Sequence, residues 1–275
     1  MATAEEIRAQ QRDGWNQAAA NWKAREDEIQ KSLDGFARTM VERAEIGETD
    51  RVLDAATGTG EPGFTAAKRA PKGQVVGVDI SEEMVKIANF NAAARGIQNY
   101  TAVVMDATRM TEPSNSFDAA LCRFGVMFFP DPAAGVAEIA RTVKPARRVV
   151  IASWGEPLKN PWAGIVVSIV NPILGLPPAP ADAPGIFRCS APGLLRSYMK
   201  DAGLSDVEEF DVEGEMFYKS PEEFWTGMTS GTGPTATVLV KASAASRDRV
   251  RDAVLNRIRT YVANGKVVMP SWAHI

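Results

Sequence analysis

Between Arg51 and Asp79 the chain reads RVLDAATGTGEPGFTAAKRAPKGQVVGVD, and no other stretch narrows the fold as much. A short apolar run, Val52-Leu53, ends in Asp54 and leads into the turn Gly58-Thr59-Gly60-Glu61-Pro62-Gly63. A helical stretch follows, then a second apolar run, Val75 to Val78, closed by Asp79. Strand, tight loop, helix and strand make one βαβ unit with a right-handed crossover. Glycines let backbone amides approach a ligand closely. A carboxylate at the tip of the second strand is placed to accept hydrogen bonds from ribose hydroxyls. The unit reads as a nucleoside site.

A P-loop needs Lys followed by Ser or Thr after its last glycine, but here Phe64-Thr65 follows Gly63. The pattern Gly58-x-Gly60-x-x-Gly63 matches the dinucleotide fingerprint, which is a weak signal alone. In dehydrogenases the first strand is usually apolar to its end, because a pyrophosphate lies against the turn. Asp54, four residues before Gly58, would repel a pyrophosphate and suits a ligand carrying an amino group and a sulfonium. It moves the balance from NAD to S-adenosylmethionine. A nicotinamide-dependent oxidoreductase stays as an alternative, although the chain has no Tyr-x-x-x-Lys pair.

Three further motifs follow in order: Val103-Val104-Met105-Asp106-Ala107, Phe117-Asp118-Ala119-Ala120-Leu121-Cys122-Arg123, and Arg141-Thr142-Val143-Lys144-Pro145. Together with Asp54-Ala55-Ala56-Thr57-Gly58-Thr59-Gly60, this succession resembles the class I S-adenosylmethionine-dependent methyltransferases. More narrowly it is similar to the group related to ubiquinone and menaquinone biosynthesis. The likeness runs from about residue 51 to 154 and is looser beyond. It departs from the family at Ala56, which stands for the first glycine of the turn and should tighten the pocket slightly. It departs again at Ala146-Arg147, which replace two glycines in a tight turn.

The resemblance implies an α/β fold: a Rossmann-like doubly wound sheet, mostly parallel with an antiparallel last strand, plus a helical cap. It places the cofactor against Asp54, Ala55, Ala56, Thr57, Gly58 and Gly60 of the turn. After the second strand it adds Asp79, Ile80 and Met84, and after the third Asp106 and Ala107. Cys122, Arg123 and Phe124 complete the set at the end of the fourth. The implied acceptor is a small hydrophobic molecule, a quinol or phenol methylated at carbon or oxygen. N- or O-methylation of a secondary metabolite remains open, as does a non-methylating cofactor-binding protein such as a cyclase. The family ends with a strand between the fifth and sixth, and the sequence after Val267-Val268-Met269 suggests a very short or truncated one.

Composition sets outer bounds. The chain has 275 residues, enough to bury a sizeable core. A net charge of −3 argues against a broad nucleic-acid footprint. The Pro-Cys and Asn/Asp-Pro-Pro-aromatic signatures of nucleic-acid methyltransferases are also absent. Two cysteines, Cys122 and Cys189, are too few for a disulfide framework or zinc site, so a reducing cytoplasm and no metal are expected. No apolar run approaches the roughly 20 residues needed to span a bilayer. The expected partner is a small-molecule methyl acceptor, with the chain acting as monomer or homodimer.

The chain divides into an N-terminal helical cap (1–48), an S-adenosylmethionine-binding core (49–155), and a pocket insertion with the C-terminal part of the sheet (156–275). Residues 3 to 46 read as helical throughout, with Trp15 and Trp22 on one face. Helices are expected at 82–95 behind an Ser81 cap, at 132–143, at 160–174 with an interruption near Pro172, at 191–202 and, basic and amphipathic, at 246–263. Strands are expected at 148–154 and 207–217, and the Pro-rich 177–184 as loop. The insertion and the N-terminal helices are expected to roof the methyl group together. Trp162, Ile165, Val166, Ile169, Ile173, Leu174 and Phe187 suit an apolar pocket and equally a core.

In-line methyl displacement is accelerated largely by alignment, which supplies on the order of 7–11 kcal/mol in favourable cases. A base is then not required for an ionised or soft nucleophile. The single histidine, His274, is an unpromising catalyst near the end of the sequence. No catalytic residue is assigned; Arg123, Asp106 and Tyr198 are candidates, with Glu156 and Tyr218 as further potential bases. Plain alternatives stand beside these readings: solvated strand ends for Asp54 and Asp79, a helix cap for Asp106, a surface charge for Arg123, and core packing for Trp15, Trp22, Met127, Phe128 and Phe129. Cys122 reads as a small buried hydrophobe.

Overall fold

A computed structural model describes residues 2–177, 180, 182–229 and 234–275. Helices α1 (Ala4–Ala24) and α2 (Glu26–Arg43) precede an alternating body. That body comprises β1 (Arg51–Ala55), α3 (Gly63–Arg69), β2 (Gln74–Asp79), α4 (Glu82–Ala94), β3 (Tyr100–Val104), β4 (Phe117–Arg123), α5 (Pro132–Thr142) and β5 (Val143–Trp154). Then come α6 (Pro161–Leu174), α7 (Leu194–Asp201), β6 (Asp211–Tyr218), α8 (Pro221–Thr229), α9 (Pro234–Lys241), α10 (Ala244–Arg257), β7 (Val262–Ala263) and β8 (Lys266–His274). The main sheet runs β3-β2-β1-β4-β5-β8-β6, with β7 paired to β8. Its first five strands are parallel, and β8 is antiparallel to both β5 and β6.

Strands β1, β2 and β4 are buried along nearly all their length, as their apolar runs require in a sheet covered on both faces. Local signals set the helix starts. Thr3 and Glu6 form a capping box at α1, Ser81 accepts from the Met84 amide at α4, and Asp131 accepts from the Ala134 amide at α5. Arg25 breaks the expected single N-terminal helix into two. The Phe36 ring of α2 lies over Gly214 of β6, where an added Cβ would come within 2.7 Å of Phe36 Cζ. Phe36 also meets Phe124 and Trp154 edge-on, at 5.6 Å between centroids in each case. The cap is thereby welded to the sheet.

Several expectations change. The last strand is not short: β8 has nine residues and pairs with β6 from Val267 to His274. The expected long final helix stops at Arg257 and gives way to a 3₁₀ turn and β7. The reason is Asn264-Gly265, both at positive φ (52° and 75°), which close a two-residue hairpin pairing Val262 with Val267. Pro172 does not interrupt α6, because it sits in the last turn before Gly175 ends the helix at φ 64°. Helix α7 begins at Leu194, after Gly193 at φ 80°. Strand β5 starts five residues early, at Val143, and absorbs the expected turn. Ala146 takes φ 58° there, while Lys144 and Arg147 hold Asp118 at 2.9 and 3.1 Å. Of the Pro-rich stretch, residues 178, 179 and 181 lie outside the described residues.

Gly214→Ala should therefore cost about 1–3 kcal/mol by overpacking against Phe36. Urea unfolding checks it: the midpoint should fall at constant m, and an unchanged midpoint would mean that α2 yields freely.

Candidate functional site

The strand order reverses at β1, with β2 on one side and β4 on the other, and this switch point is where an open α/β sheet leaves a crevice. A cavity of about 920 Å³, open mouth included, occupies it. One wall is the first loop, Ala56 to Thr59, with Glu61. Asp79, Ile80 and Met84 follow β2; Asp106 and Ala107 follow β3; Arg123, Phe124 and Gly125 end β4. Arg8, Gln11, Trp15 and Trp22 of α1, Leu33 of α2 and Phe128, Phe129 and Pro130 close the other side.

The first loop owes its shape to three left-handed residues, Ala56 (φ 56°), Gly58 (φ 55°) and Gly60 (φ 119°). A side chain at Gly60 would meet Phe64 Cζ at 2.0 Å. Ala56 accepts the strain that the first glycine of the motif would avoid, and its methyl is what requires glycine at 125, where a Cβ would lie 2.5 Å away. Beneath the loop Asp54 is fully buried. Its Oδ2 accepts from Thr57 Oγ1 at 2.5 Å and from the Gly63 amide at 2.9 Å. Its Oδ1 has no partner. Burial pushes this carboxyl up to about 7. Tyr100 Oη, 2.7 Å from Thr57 Oγ1, completes the brace.

Asp79 accepts from the Gly58 amide through Oδ2 and from the Ser81 amide through Oδ1, both at 2.9 Å. Burial raises its pKa while the backbone amides of Ser81, Gly58 and Ile80 pull the other way. Each oxygen keeps a lone pair for a ligand hydroxyl. Asp106 is more committed. Its Oδ1 accepts from Thr108 N and Oγ1 at 2.9 and 2.8 Å, and its Oδ2 from Arg8 Nε at 2.8 Å. Helix α1 is also fastened through Asn16 Oδ1, which accepts from Ser81 Oγ at 2.7 Å and the Glu83 amide at 3.2 Å. Trp15 stands edge-on to Trp22 and Phe128, 5.8 and 5.3 Å between centroids. Phe124, at φ 57°, is stacked flat on Trp154 at 4.0 Å.

The cavity thus gathers Ala56, Thr57, Gly58, Asp79, Ile80, Met84, Asp106, Ala107, Arg123 and Phe124 from the expected set. It does not include Asp54, Ala55, Gly60 or Cys122, which sit behind the wall. Asp54 shapes the loop from below instead of facing the cavity, and Cys122 is core, its thiol pushed up to about 12 by burial. Tyr198 lies on α7, which packs on α5 away from the lining; Glu156, Tyr218 and His274 are absent from it too. His274 Nδ1 is 2.7 Å from Asp211 Oδ1 at the far side of the sheet. The apolar cluster from Trp162 to Leu174 is core, with Trp162 edge-on to Trp154.

No described lining residue comes from the insertion, so its expected share of the roof is indirect. Arg188 donates to the Phe129 and Pro130 carbonyls at 2.5 and 3.1 Å, and the Gly185 amide to the Met127 carbonyl at 3.2 Å. The insertion clasps one wall from outside. Arg8, Gln11 and Leu33 were not singled out from sequence. Arg8 and Gln11 share the helical face of Trp15 and Trp22, spaced by three or four and then seven, and that spacing was the available signal.

The native state holds the Asp54 proton more tightly than the unfolded chain, so this group lowers stability as pH rises from about 4 to about 7. Asp54→Asn removes that titration. Urea midpoints at pH 5 and pH 7.5 should show the variant gaining on the wild type at the higher pH. A pH-independent gap would mean that Asp54 is ionised throughout.

Residues 52–146 match the family model described as a methyltransferase domain. The chain is 35% identical over 123 residues to a demethylmenaquinone methyltransferase of Deinococcus radiodurans, covering 45% of this chain and 51% of that protein. It is 32% identical over 184 residues to a ubiquinone/menaquinone biosynthesis C-methyltransferase of Cupriavidus taiwanensis, covering 62% and 74%. The match to the first of these spans about half of that relative's length. Among solved structures, the YcgJ protein of Bacillus subtilis shares the fold at a TM-score of 0.56 and 19% identity, covering 88% of this chain and 97% of that one. The residues around the cavity fit the cofactor of such proteins: a left-handed turn offering amides, an acid with free lone pairs after β2, and an unsatisfied buried carboxylate oxygen beneath the loop. The chain belongs to the class I S-adenosylmethionine-dependent methyltransferases, within the group related to ubiquinone and menaquinone biosynthesis.

Proposed function

We propose that this protein methylates a small hydrophobic acceptor of quinol or phenol type, at carbon or oxygen. The observation that carries the proposal is one cavity joining the glycine turn and Asp79 to an aromatic wall of Trp15, Trp22, Phe124, Phe128 and Phe129. When bound, the cofactor supplies an electrophilic methyl carbon on a sulfonium. In this reading Asp79 holds the ribose hydroxyls, Ile80 and Met84 pack on the adenine, Ala107 adjoins it, and the amides of the first loop face the methionine portion. Asp106 keeps Arg8 and α1 in place over the adenine. The aromatic wall takes a flat acceptor and keeps water from the reacting atoms.

The lining also says what kind of acceptor suits. Among the described lining residues there is no histidine, tyrosine or cysteine, and each carboxylate already accepts hydrogen bonds from the protein. Glu61 Oε2 accepts from Thr65 N and Oγ1, Asp79 from two amides, and Asp106 from Arg8 and Thr108. A site without a free base works by alignment, and alignment suffices for an acceptor that ionises by itself or attacks through an electron-rich ring carbon.

Incubation with S-adenosylmethionine and a panel of quinols, phenols and amines should give S-adenosylhomocysteine only with the first two classes, with the new methyl located by mass spectrometry. Methylated amines, or tight binding of the cofactor with no product from any acceptor, would sink the proposal. Asp79→Ala should weaken S-adenosylhomocysteine more than tenfold by calorimetry, since charge-assisted hydrogen bonds of about 1.5–3 kcal/mol are lost. Tyr198→Phe should leave kcat and KM where they are, and a large fall in kcat would return Tyr198 to the site.

A further inference from the structure

The face that α1 turns to the cavity carries Arg8, Gln11, Trp15 and Trp22, spaced by three, four and seven along the helix. Their polar groups are satisfied very unequally. Arg8 is spent on Asp106 at 2.8 Å and on the Thr108 hydroxyl at 3.4 Å. The carboxamide of the half-buried Gln11 has no hydrogen-bond partner among the described residues, and the indole N–H groups of Trp15 and Trp22 meet no acceptor there. A primary amide partly withdrawn from water and left unpaired is costly, and in a cavity it marks where a polar atom of a ligand is expected.

Position separates Gln11 from the other uncharged polar side chains of the lining. Thr57 is taken by Asp54 and Tyr100. Thr59 belongs to the first loop and also borders a side crevice whose lining includes none of Trp15, Phe128 and Phe129. Gln11 instead stands one turn before Trp15 on the same helix face, about 6 Å along the axis, and Trp15 meets Phe128 edge-on at 5.3 Å. One turn is the reach from the centre of a six-membered ring, through an exocyclic oxygen, to a donor nitrogen. Toward a ring packed on Trp15, the side chains of this face offer N–H donors, and their one acceptor is the Gln11 carbonyl. An electron-rich oxygen suits such a face better than an ammonium does.

We infer that Gln11 binds the ring oxygen of the methyl acceptor through its carboxamide N–H and thereby selects a phenol held in its oxyanion form. The inference rests on the acceptor reading above and deepens it, because it names the acceptor group that is recognised and the residue that recognises it. A donor to the anionic form favours ionisation of the bound phenol, so its proton passes to solvent and no side chain has to remove it. Gln11 is a positioning residue: it fixes the register of the ring on the aromatic wall, and alignment does the rest.

Two probes that differ by one oxygen, 1-naphthol and naphthalene, test it with the protein saturated by S-adenosylhomocysteine. By equilibrium dialysis the wild type should bind 1-naphthol about tenfold or more tightly than naphthalene, the range expected for a hydrogen bond to a charged group. In Gln11→Leu that ratio should collapse toward one while naphthalene binding stays as in the wild type. Ultraviolet absorbance follows ionisation of the bound 1-naphthol, whose midpoint in the wild type should lie about one pH unit or more below that of the free phenol. Gln11→Leu should return the midpoint toward the free value, and the isosteric Gln11→Glu, a carboxylate in place of the donor, should raise it above that value. An unshifted wild-type midpoint, or one midpoint common to all three proteins, would overturn the assignment. Weakened S-adenosylhomocysteine binding in Gln11→Leu with the naphthol preference intact would place Gln11 against the cofactor, overturning this inference and leaving the acceptor reading in force. No binding of either probe by the wild type would overturn that reading and this inference with it. If Gln11→Leu does not fold, the wild type and Gln11→Glu decide.

Discussion

A single buried carboxylate governs the geometry of the site. Asp54, one residue before the end of β1, has no exposure to solvent, and one of its oxygens receives both the Thr57 hydroxyl and the Gly63 amide. Those two donors stand at opposite ends of the glycine turn, so the acid draws the loop closed around itself. Burying the charge is expensive, and the Thr57 and Gly63 donors offset only part of that cost, so burial pushes the carboxyl up to about 7. The loop then has one shape, and Ala56, Thr57 and Gly58 present their backbone to the cavity. Asp79, bonded to the Gly58 amide, transmits that shape to the second strand. Positions on two strands are thus fixed by one residue that lies behind the cavity wall.

The N-terminal helices are tied to the same strand ends. Arg8 reaches Asp106 after β3, Asn16 reaches Ser81 and Glu83 after β2, and Phe36 packs against Phe124 after β4. Each fastening lands on a segment that also lines the cavity or caps a helix beside it. The cap is consequently docked on Asp106 and on the Asp79–Ser81 turn, whose two acids also line the cavity. Phe124 adds a backbone element to this: it holds a left-handed conformation that costs a large side chain energy, and stacking on Trp154 compensates.

Much of this could be read from sequence where the information was local. The turn, the two acids, the Ser81 cap and the switch-point position all follow from a run of fewer than thirty-five residues, because backbone conformation there is dictated by near neighbours. The role of Asp54 could not, since whether it faces a ligand or a loop depends on where Thr57 and Gly63 end up. Nor could the pairing of Arg8 with Asp106, ninety-eight positions apart. The apolar run from Trp162 to Leu174 fitted pocket and core alike, and only the packing of α6 against β8 and α10 made it core. Asn264-Gly265 carries a hairpin signal that the helical periodicity of 246–263 hides.

Among the described residues, the hydrogen bonds by which Gly185 and Arg188 of the insertion clasp the cavity wall end on main-chain carbonyls, those of Met127, Phe129 and Pro130. A carbonyl is common to every amino acid, so this contact is indifferent to which side chains the wall displays. The side chains at 128 and 129 take no part in those hydrogen bonds. The clasp therefore sets where the wall's backbone runs without fixing, through these bonds, which side chains it displays.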